Sequence, residues 1–367
     1  MTGATPWVSD DPDEELDPMV TWTTPQFSKT KVNQAGVTLA NPMAHPDEHE
    51  LALFIVNNWR SSHSFPLNTF QMTLRKKARQ VDRRPLVAQR IKRLTSITSK
   101  LERFPSMRLS RMQDIGGCRA VVTSRPRVDE LADLYQDSVR LKHELVGEPD
   151  DYIRNPKTSG YRGIHLVYRY HSDRNATYEG LQIEMQLRSR LQHAWATAVE
   201  TVGTFTKQAL KSSQGEDRWL RFFAVMGSEM ALRERTPTVP GTPSKRAEIR
   251  SELRQLADVL DLVPRLRMYG ETLKIVEEQV LRELSDSSYF LLELDALNTS
   301  LKITGFQRNE LEAGAQSYLA AERRFANRAG CDAVLVAVET FSALRRAYPN
   351  YFLDTSAFVD AVEQAIS

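Results

Sequence analysis

The stretch LQIEMQLR, residues 181–188, alternates apolar and polar side chains. Read as a β-strand, it turns Ile183, Met185 and Leu187 toward a core and lines up Glu184, Gln186 and Arg188 on the opposite face. Three aligned polar residues suit a site on a central strand, and a water-exposed edge strand carries the same alternation. CRAVVT (118–123) and GIHLVYRY (163–170) also have strand character. A helical period covers 128–139 between these two. Another covers 189–202 after the third strand, with Leu191, Trp195 and Val199 on one face. A mixed α/β unit ending near residue 235 is the expectation.

Working toward the N-terminus, a helix is expected over 47–60, where Leu51, Phe54, Ile55 and Trp59 follow an acidic first turn. Basic helices are expected over 67–81 and 85–104. Residues 1–45, rich in Pro, Thr and Asp, read as irregular. Toward the C-terminus, TPTVPGTPSK (236–245) reads as a linker. Helical pattern runs over 246–285, broken or kinked at Pro264. Strands over 289–297, 300–306 and 332–339, a helix over 309–328 and two short final helices make a smaller α+β domain over 246–367. The first domain then occupies 46–235.

Composition narrows the classes. The 367 residues are 41% hydrophobic and 26% charged, the balance of a water-soluble globular chain, with no apolar run long enough for a membrane. No basic and apolar leader pattern opens the chain, so the cytoplasm is the simplest compartment. Cys118 and Cys331 stand alone, which argues against a disulfide framework or a Cys-rich zinc site. A net charge of +2 conceals a basic block: residues 75–127 hold 16 Lys or Arg against Asp82, Glu102 and Asp114. That block is a solvated face or the seat of an anionic partner, a nucleotide or an RNA backbone.

Four motifs carry candidate chemistry. In RIKRLTSITSK, a helix would put Lys92, Ser96 and Lys100 one turn apart, a row suited to a polyphosphate, while Arg90 offers a flat cation for a base. In RMQDIGGCRAVV, Asp114 precedes a strand and is a candidate Mg²⁺ ligand, with Gly116 and Gly117 allowing close approach and Arg119 inside the strand. The loop NPKTSGYRGIH presents Lys157, Tyr161, Arg162 and His165. EMQLR adds Glu184, Gln186 and Arg188. Each has a bland reading as well: a solvated helix, a turn aspartate, an exposed tyrosine, an edge strand. No Gly-Lys dipeptide occurs, so a P-loop is excluded.

Taken in this order, the four motifs resemble the synthetase domain of the RelA/SpoT family over roughly residues 65–235. The resemblance implies a nucleotidyltransferase-like mixed sheet flanked by helices. It also implies transfer of the β,γ-pyrophosphate of ATP to a ribose 3′-hydroxyl, with Mg²⁺ as cofactor. By motif, Arg90 would stack on adenine, and Lys92, Ser96 and Lys100 would hold the ATP phosphates. Arg119 would act at the phosphates or the adenine. Asp114 would bind the metal; Glu184 would share it or activate the hydroxyl. Tyr161 would stack on the acceptor base, with Lys157 and His165 beside the reacting phosphates and Gln186 and Arg188 in support. HAWATAVETVG departs from the pattern, because Glu200 precedes Thr201 where small synthetases have Glu-His. None of the seven histidines precedes an aspartate, so the family's hydrolase signature is missing.

The C-terminal YPNYFLDTSAF, with Tyr348 and Tyr351, is similar to the fused toxin–antitoxin members of this family, the CapRel type. That resemblance implies a pseudo-zinc-finger domain that blocks the ATP site through the tyrosines. A phage protein, such as a capsid protein, would release it, and the freed enzyme would modify the 3′-CCA end of tRNA in phage defence. Arg75, Lys76, Lys77 and Arg79 are then candidate tRNA contacts. The alternative acceptor is GDP or GTP. A monomer is the working expectation for the assembly.

Overall fold

In the computed structural model, the described residues are 22–136, 141–173, 176–206, 210, 215–271, 284, 287–296, 298–325, 328 and 330–367. Helix α1 (Lys29–Ala40) lies in the segment expected to be irregular. Its Ser28 cap accepts from the Lys31 amide at 3.3 Å, and Val32, Ala35, Gly36 and Leu39 form a buried stripe. Helix α2 (Pro46–Ser61) starts with proline and acids in its first turn and buries Ile55, Val56 and Trp59. Helix α3 (Ser64–Val81) follows. Asp82 then closes a turn, its carboxylate accepting from the amides of Arg84 at 2.9 Å and Thr123 at 2.6 Å.

Residues 85–104 are not one helix. Strand β1 (Leu86–Ile91) precedes α4 (Leu94–Arg103). The reason is tertiary pairing: β1 bonds along its whole length to β2 (Gly116–Val122), from Leu86–Val121 to Ile91–Gly116. Helix α5 (Arg125–Gln136) ends where the expected helix over 128–139 leaves the described residues. Short strands β3 (Glu144–Leu145) and β4 (Asp150–Asp151) lead to β5 (Ile164–Arg169) and β6 (Gln182–Ser189). Helix α6 (Arg190–Thr206) outlasts its expected end, and α7 (Asp217–Glu234) was absent from the sequence reading.

The second half contributes α8 (Arg246–Leu260), α9 (Leu262–Glu271), β7 (Tyr289–Asp295), β8 (Ser300–Phe306), α10 (Leu311–Phe325), β9 (Cys331–Ala337), α11 (Phe341–Ala347) and α12 (Ser356–Ile366). Pro264 sits in the first turn of α9, after the break at Asp261, where it disturbs no helical bond. The expected helix over 246–285 leaves the described residues after 271, apart from residue 284.

All the strands belong to one mixed sheet, ordered β3-β5-β6-β2-β1-β9-β7-β8, with β4 on β5. Only β2 and β6 are parallel among the described pairs. The sheet runs through both halves of the chain: β9 pairs with β1 at Gln89–Ala337 and Arg90–Val336. The C-terminal strands thus extend the sheet that carries the motifs. Among the described residues no three His, Cys, Asp or Glu gather as a metal site.

The 236–245 segment is also not a free spacer. Val239 is buried, and its amide donates to Ser228 of α7 at 2.8 Å. Helix α8 is held to α7 by Glu229, whose fully buried carboxylate receives Arg233, Arg246 and Arg250. No helix among the described residues is long and apolar enough to cross a membrane.

Candidate active site

The cleft lies over the face shared by β1, β2 and β6 and is lined by Arg90, Lys92, Asp114, Arg119, Glu184, Gln186 and Arg188, among others. Register explains the convergence. Arg90 lies opposite Gly117, Gly117 beside Glu184, and Arg119 beside Gln186, so alternate residues of three strands share one surface. Ile183, Met185 and Leu187 are fully buried on the other face, as the alternation in LQIEMQLR predicts. The glycines divide the same way. A Cβ on Gly116 would lie 2.7 Å from Ile183, so Gly116 serves packing. One on Gly117 would meet nothing closer than 3.9 Å, so that position leaves the cleft floor open.

Asp114 is the anchor on the phosphate side. It forms ion pairs with Lys92 and, at 3.1 Å, with Lys100. Burial pushes its carboxyl up, but the two ammonium groups outweigh that and hold it below the usual carboxylate range. Lys92 and Lys100 meet here although Lys92 lies between β1 and α4 and only Lys100 is helical. The expected single helical row of 92, 96 and 100 is therefore replaced by a strand end and a helix converging on one carboxylate. Ser96 sits half-buried on α4 and is not among the residues lining the cleft.

On the other side Glu184 accepts from His165 at 2.8 Å and from Gln186 at 2.7 Å. Burial raises its pKa, but these bonds and the Lys92 charge lower it to about 2. The chain of bonds continues. His165 contacts the Tyr161 hydroxyl, which also accepts from Arg188 at 2.7 Å. Burial lowers His165, yet Tyr161 and Glu184 raise it to about 9. Tyr161 is pulled down to about 8, burial being outweighed by Arg188 and His165. Lys157 lies 5.6 Å from the Tyr161 ring and 3.8 Å from that of Tyr152. Tyr152 also packs edge-on to Tyr161 and His165. The sequence reading passed over Tyr152, and nothing in DDYIRN distinguishes it from an ordinary loop aromatic.

The two tyrosines of YPNY occupy different places. Tyr348 lines the cleft: its hydroxyl donates to the Gln89 carbonyl at 3.0 Å, and its ring stands 5.2 Å from the Arg119 guanidinium. Arg119 also bonds to the Ala347 carbonyl, and His193 to that of Arg346 at 3.1 Å. Tyr351 points inward and donates to Asp332 at 2.7 Å; Asp332 in turn pairs with Arg93.

The basic row expected to meet tRNA makes contacts within the fold, while Arg79 stays more than half exposed. Arg75 and Arg79 both pair with Glu339, and Lys77 donates to the Leu134 carbonyl at 2.9 Å and lies over the Tyr135 ring. Lys76 is engaged within the fold as well.

Residues 89–207 match the region found in RelA / SpoT proteins. Over 113 residues the chain is 32% identical to the GTP pyrophosphokinase YjbM of Bacillus subtilis (strain 168). That stretch is 30% of this chain and 52% of the relative, so the chain spans about half the length of the curated relative it matches. Among solved structures it is similar to small alarmone synthetase 1 from Bacillus subtilis bound to its product pppGpp. The two share 22% identity at a TM-score of 0.41, over 50% of this chain and 92% of that one. It is also similar to a GTP pyrophosphokinase family protein from Streptococcus pneumoniae, at 23% identity and a TM-score of 0.38, over 46% of this chain and 84% of that one.

Proposed function

We propose that this protein, whose central region is similar to RelA/SpoT proteins, is an ATP-dependent pyrophosphokinase with a guanine nucleotide as acceptor. One observation carries the proposal: two ionised carboxylates, Asp114 and Glu184, line the same cation-rich cleft on adjoining elements. Phosphoryl transfer needs positioning and charge neutralisation more than covalent chemistry, and this cleft offers both. In this reading Lys92 and Lys100 hold the ATP phosphates, Arg90 stacks on adenine, and Arg119 acts at either. In the same reading Tyr161, Tyr152 and Lys157 serve the acceptor's base and phosphates.

The donor set fits Mg²⁺, a hard cation commonly held by one or two carboxylates together with substrate phosphates. Asp114 and Glu184 would hold it. When bound, it would neutralise charge on the transferring group. The bonds from His165 and Gln186 hold Glu184 below the usual carboxylate range, which weakens it as a proton acceptor. Glu184 therefore serves better to hold the metal and orient the 3′-hydroxyl than to deprotonate it in advance. A loose transition state asks little of a base.

A second reading is favoured by the position of Tyr348. Its ring and the end of α11 occupy Arg119 and His193 and wall the cleft, which suits an enzyme held back by its own C-terminal half. In that reading a partner, a phage protein in the CapRel-type resemblance, draws Tyr348 out, and the acceptor is the 3′ end of tRNA. The pairing of Arg75, Lys77 and Arg79 within the fold gives tRNA less support than a free nucleotide.

The deciding experiment offers γ-labelled ATP and Mg²⁺ with GDP, GTP or tRNA, to the wild type and to Tyr348→Ala. Label on GDP or GTP supports the first reading. Label on tRNA alone overturns it for the second, and label on neither, in both proteins, overturns both.

A further inference from the structure

The loop that carries Lys157 and Tyr161 is fixed by groups that the proposed chemistry does not use. Gly160, at a φ of +92°, lies against α7: a Cβ there would fall 2.7 Å from the Phe223 carbonyl. A Cβ on Gly227 of α7 would come within 2.9 Å of the Gly160 Cα and 3.3 Å of Val239. The loop, α7 and the segment after α7 therefore meet with only hydrogen atoms between them at Gly160 and Gly227. Next to Tyr161, Arg162 is 3% exposed, and its hydrogen bonds among the described residues go to neutral oxygens, with the Glu234 carboxylate acting on it only through its charge. Its guanidinium donates to the Ile153 carbonyl at 3.1 Å, to the Thr236 hydroxyl at 3.2 Å and to the Pro237 carbonyl. Thr236 is itself fixed on α7, its amide donating to the Ala231 carbonyl at 2.9 Å.

A buried guanidinium shared among three neutral acceptors is a geometric clamp, because its donors diverge in one rigid plane. From these contacts we propose that Arg162 and the 236–239 segment set the position of the acceptor loop. The stretch that reads as a spacer is then a positioning element for one substrate and not for the other. The proposal rests on the assignment of Lys157 and Tyr161 to the acceptor. The ATP side hangs on other elements: Arg90 on β1, Lys92 at its end, Lys100 on α4 and Asp114 before β2. None of these is hydrogen-bonded to Arg162 or to residues 236–239.

The test uses the full chain with Arg162→Ala, Arg162→Lys and Thr236→Val. The first reading is the KM for GDP against the KM for ATP. The second is hydrogen exchange of amides 157–163 against those of β6. Arg162→Ala is expected to raise the KM for GDP at least tenfold and leave that for ATP within about twofold. It should also speed exchange in the loop at least tenfold while β6 keeps its protection. Arg162→Lys should recover only part of both effects, since an ammonium cannot reach three divergent acceptors in one plane. Thr236→Val, which removes a single contact, should shift both in the same direction by a smaller amount. It keeps the question answerable if Arg162→Ala does not fold. Unchanged exchange in the loop overturns the proposal, as does faster exchange across β6 with both KM values rising together. Should the wild type transfer nothing to GDP, the function proposed above fails, and the exchange experiment still decides whether Arg162 positions the loop.

Discussion

The Arg119 guanidinium faces the Tyr348 ring at 5.2 Å, a cation–π contact between the floor of the cleft and the residue that follows α11. Arg119 is half-buried, and desolvation lowers its pKa to about 10, against the pull of Tyr348. The ring and the Ala347 carbonyl take the place of part of the water around it. Under the proposed function, Tyr348 is held by the same group that acts on the nucleotide.

Removing that ring should open the cleft. Tyr348→Ala is expected to tighten ATP binding at least fivefold and raise any basal transfer, measured by nucleotide titration and label transfer. Tyr348→Phe keeps the ring and loses only the bond to the Gln89 carbonyl, so it should fall between. Equal ATP affinity in all three proteins would show that Tyr348 does not compete for the site.

Tyr351 should behave differently, because it is buried in the core, bonded to Asp332, and not among the residues that line the cleft. Tyr351→Ala is expected to cost about 3–5 kcal/mol of stability, as truncation of a buried aromatic does. Chemical denaturation measures this. A stable, activated Tyr351→Ala protein would reverse the assignment of the two tyrosines.

Asp114→Asn and Glu184→Gln preserve shape and remove charge. Each should lower pyrophosphate transfer by a hundredfold or more, on the scale of a lost acid–base or charge-stabilising contact. Circular dichroism should show both proteins folded. Transfer within tenfold of wild type in either would remove that carboxylate from the mechanism.

The stability of the site should depend on pH from both directions. Glu184 is depressed from 4.5 to about 2, so its contribution is present above pH 4.5 and lost as the pH falls toward 2. His165 is raised from 6.5 to about 9, so its contribution is present below pH 6.5 and lost as the pH climbs through 9. The wild-type Tm should fall on the alkaline side more steeply than that of His165→Asn, and on the acid side more steeply than that of Glu184→Gln. Parallel profiles for wild type and variants would mean that these two groups do not carry the dependence.

Glu229 offers a test of how α7 is braced. Its carboxylate is inaccessible to solvent and receives three arginines, two of them from α8. Glu229→Gln removes the counter-charge of three partly exposed arginines and should destabilise by about 1–3 kcal/mol, the scale of lost hydrogen bonds to a charged group. A urea midpoint unchanged from wild type would contradict this.

Much of the site was legible because alternation is a local signal. Ile183, Met185 and Leu187 betray the buried face of β6, and Glu184, Gln186 and Arg188 follow as its open face. Strand β1 was not legible. The four-residue spacing of Lys92, Ser96 and Lys100 imitates a helix, and only pairing with β2 and with distant β9 makes Leu86–Ile91 a strand. Helices α1 and α7 did leave a trace. Val32, Ala35, Gly36 and Leu39 keep helical spacing behind the Ser28 cap, as do Trp219, Phe222, Phe223, Met226 and Met230. Pro- and Thr-rich flanks obscured the first. YPNY marked both tyrosines through resemblance alone; that Tyr348 and not Tyr351 lines the cleft depends on how β9 brings α11 back over β1.

Strand β9 also sets an order of events during synthesis. Its partner β1 is made early, and the β1 edge that β9 covers at Gln89 and Arg90 stays open until residues 331–337 have left the ribosome. A nascent chain carrying β2, β5 and β6 already holds its carboxylates and cations, yet it presents an unpaired strand to its neighbours on the polysome. Chaperone demand should therefore be greatest in that interval. A chain stalled before β9 would be an aggregation hazard, and it would also lack the tyrosine that fills its cleft.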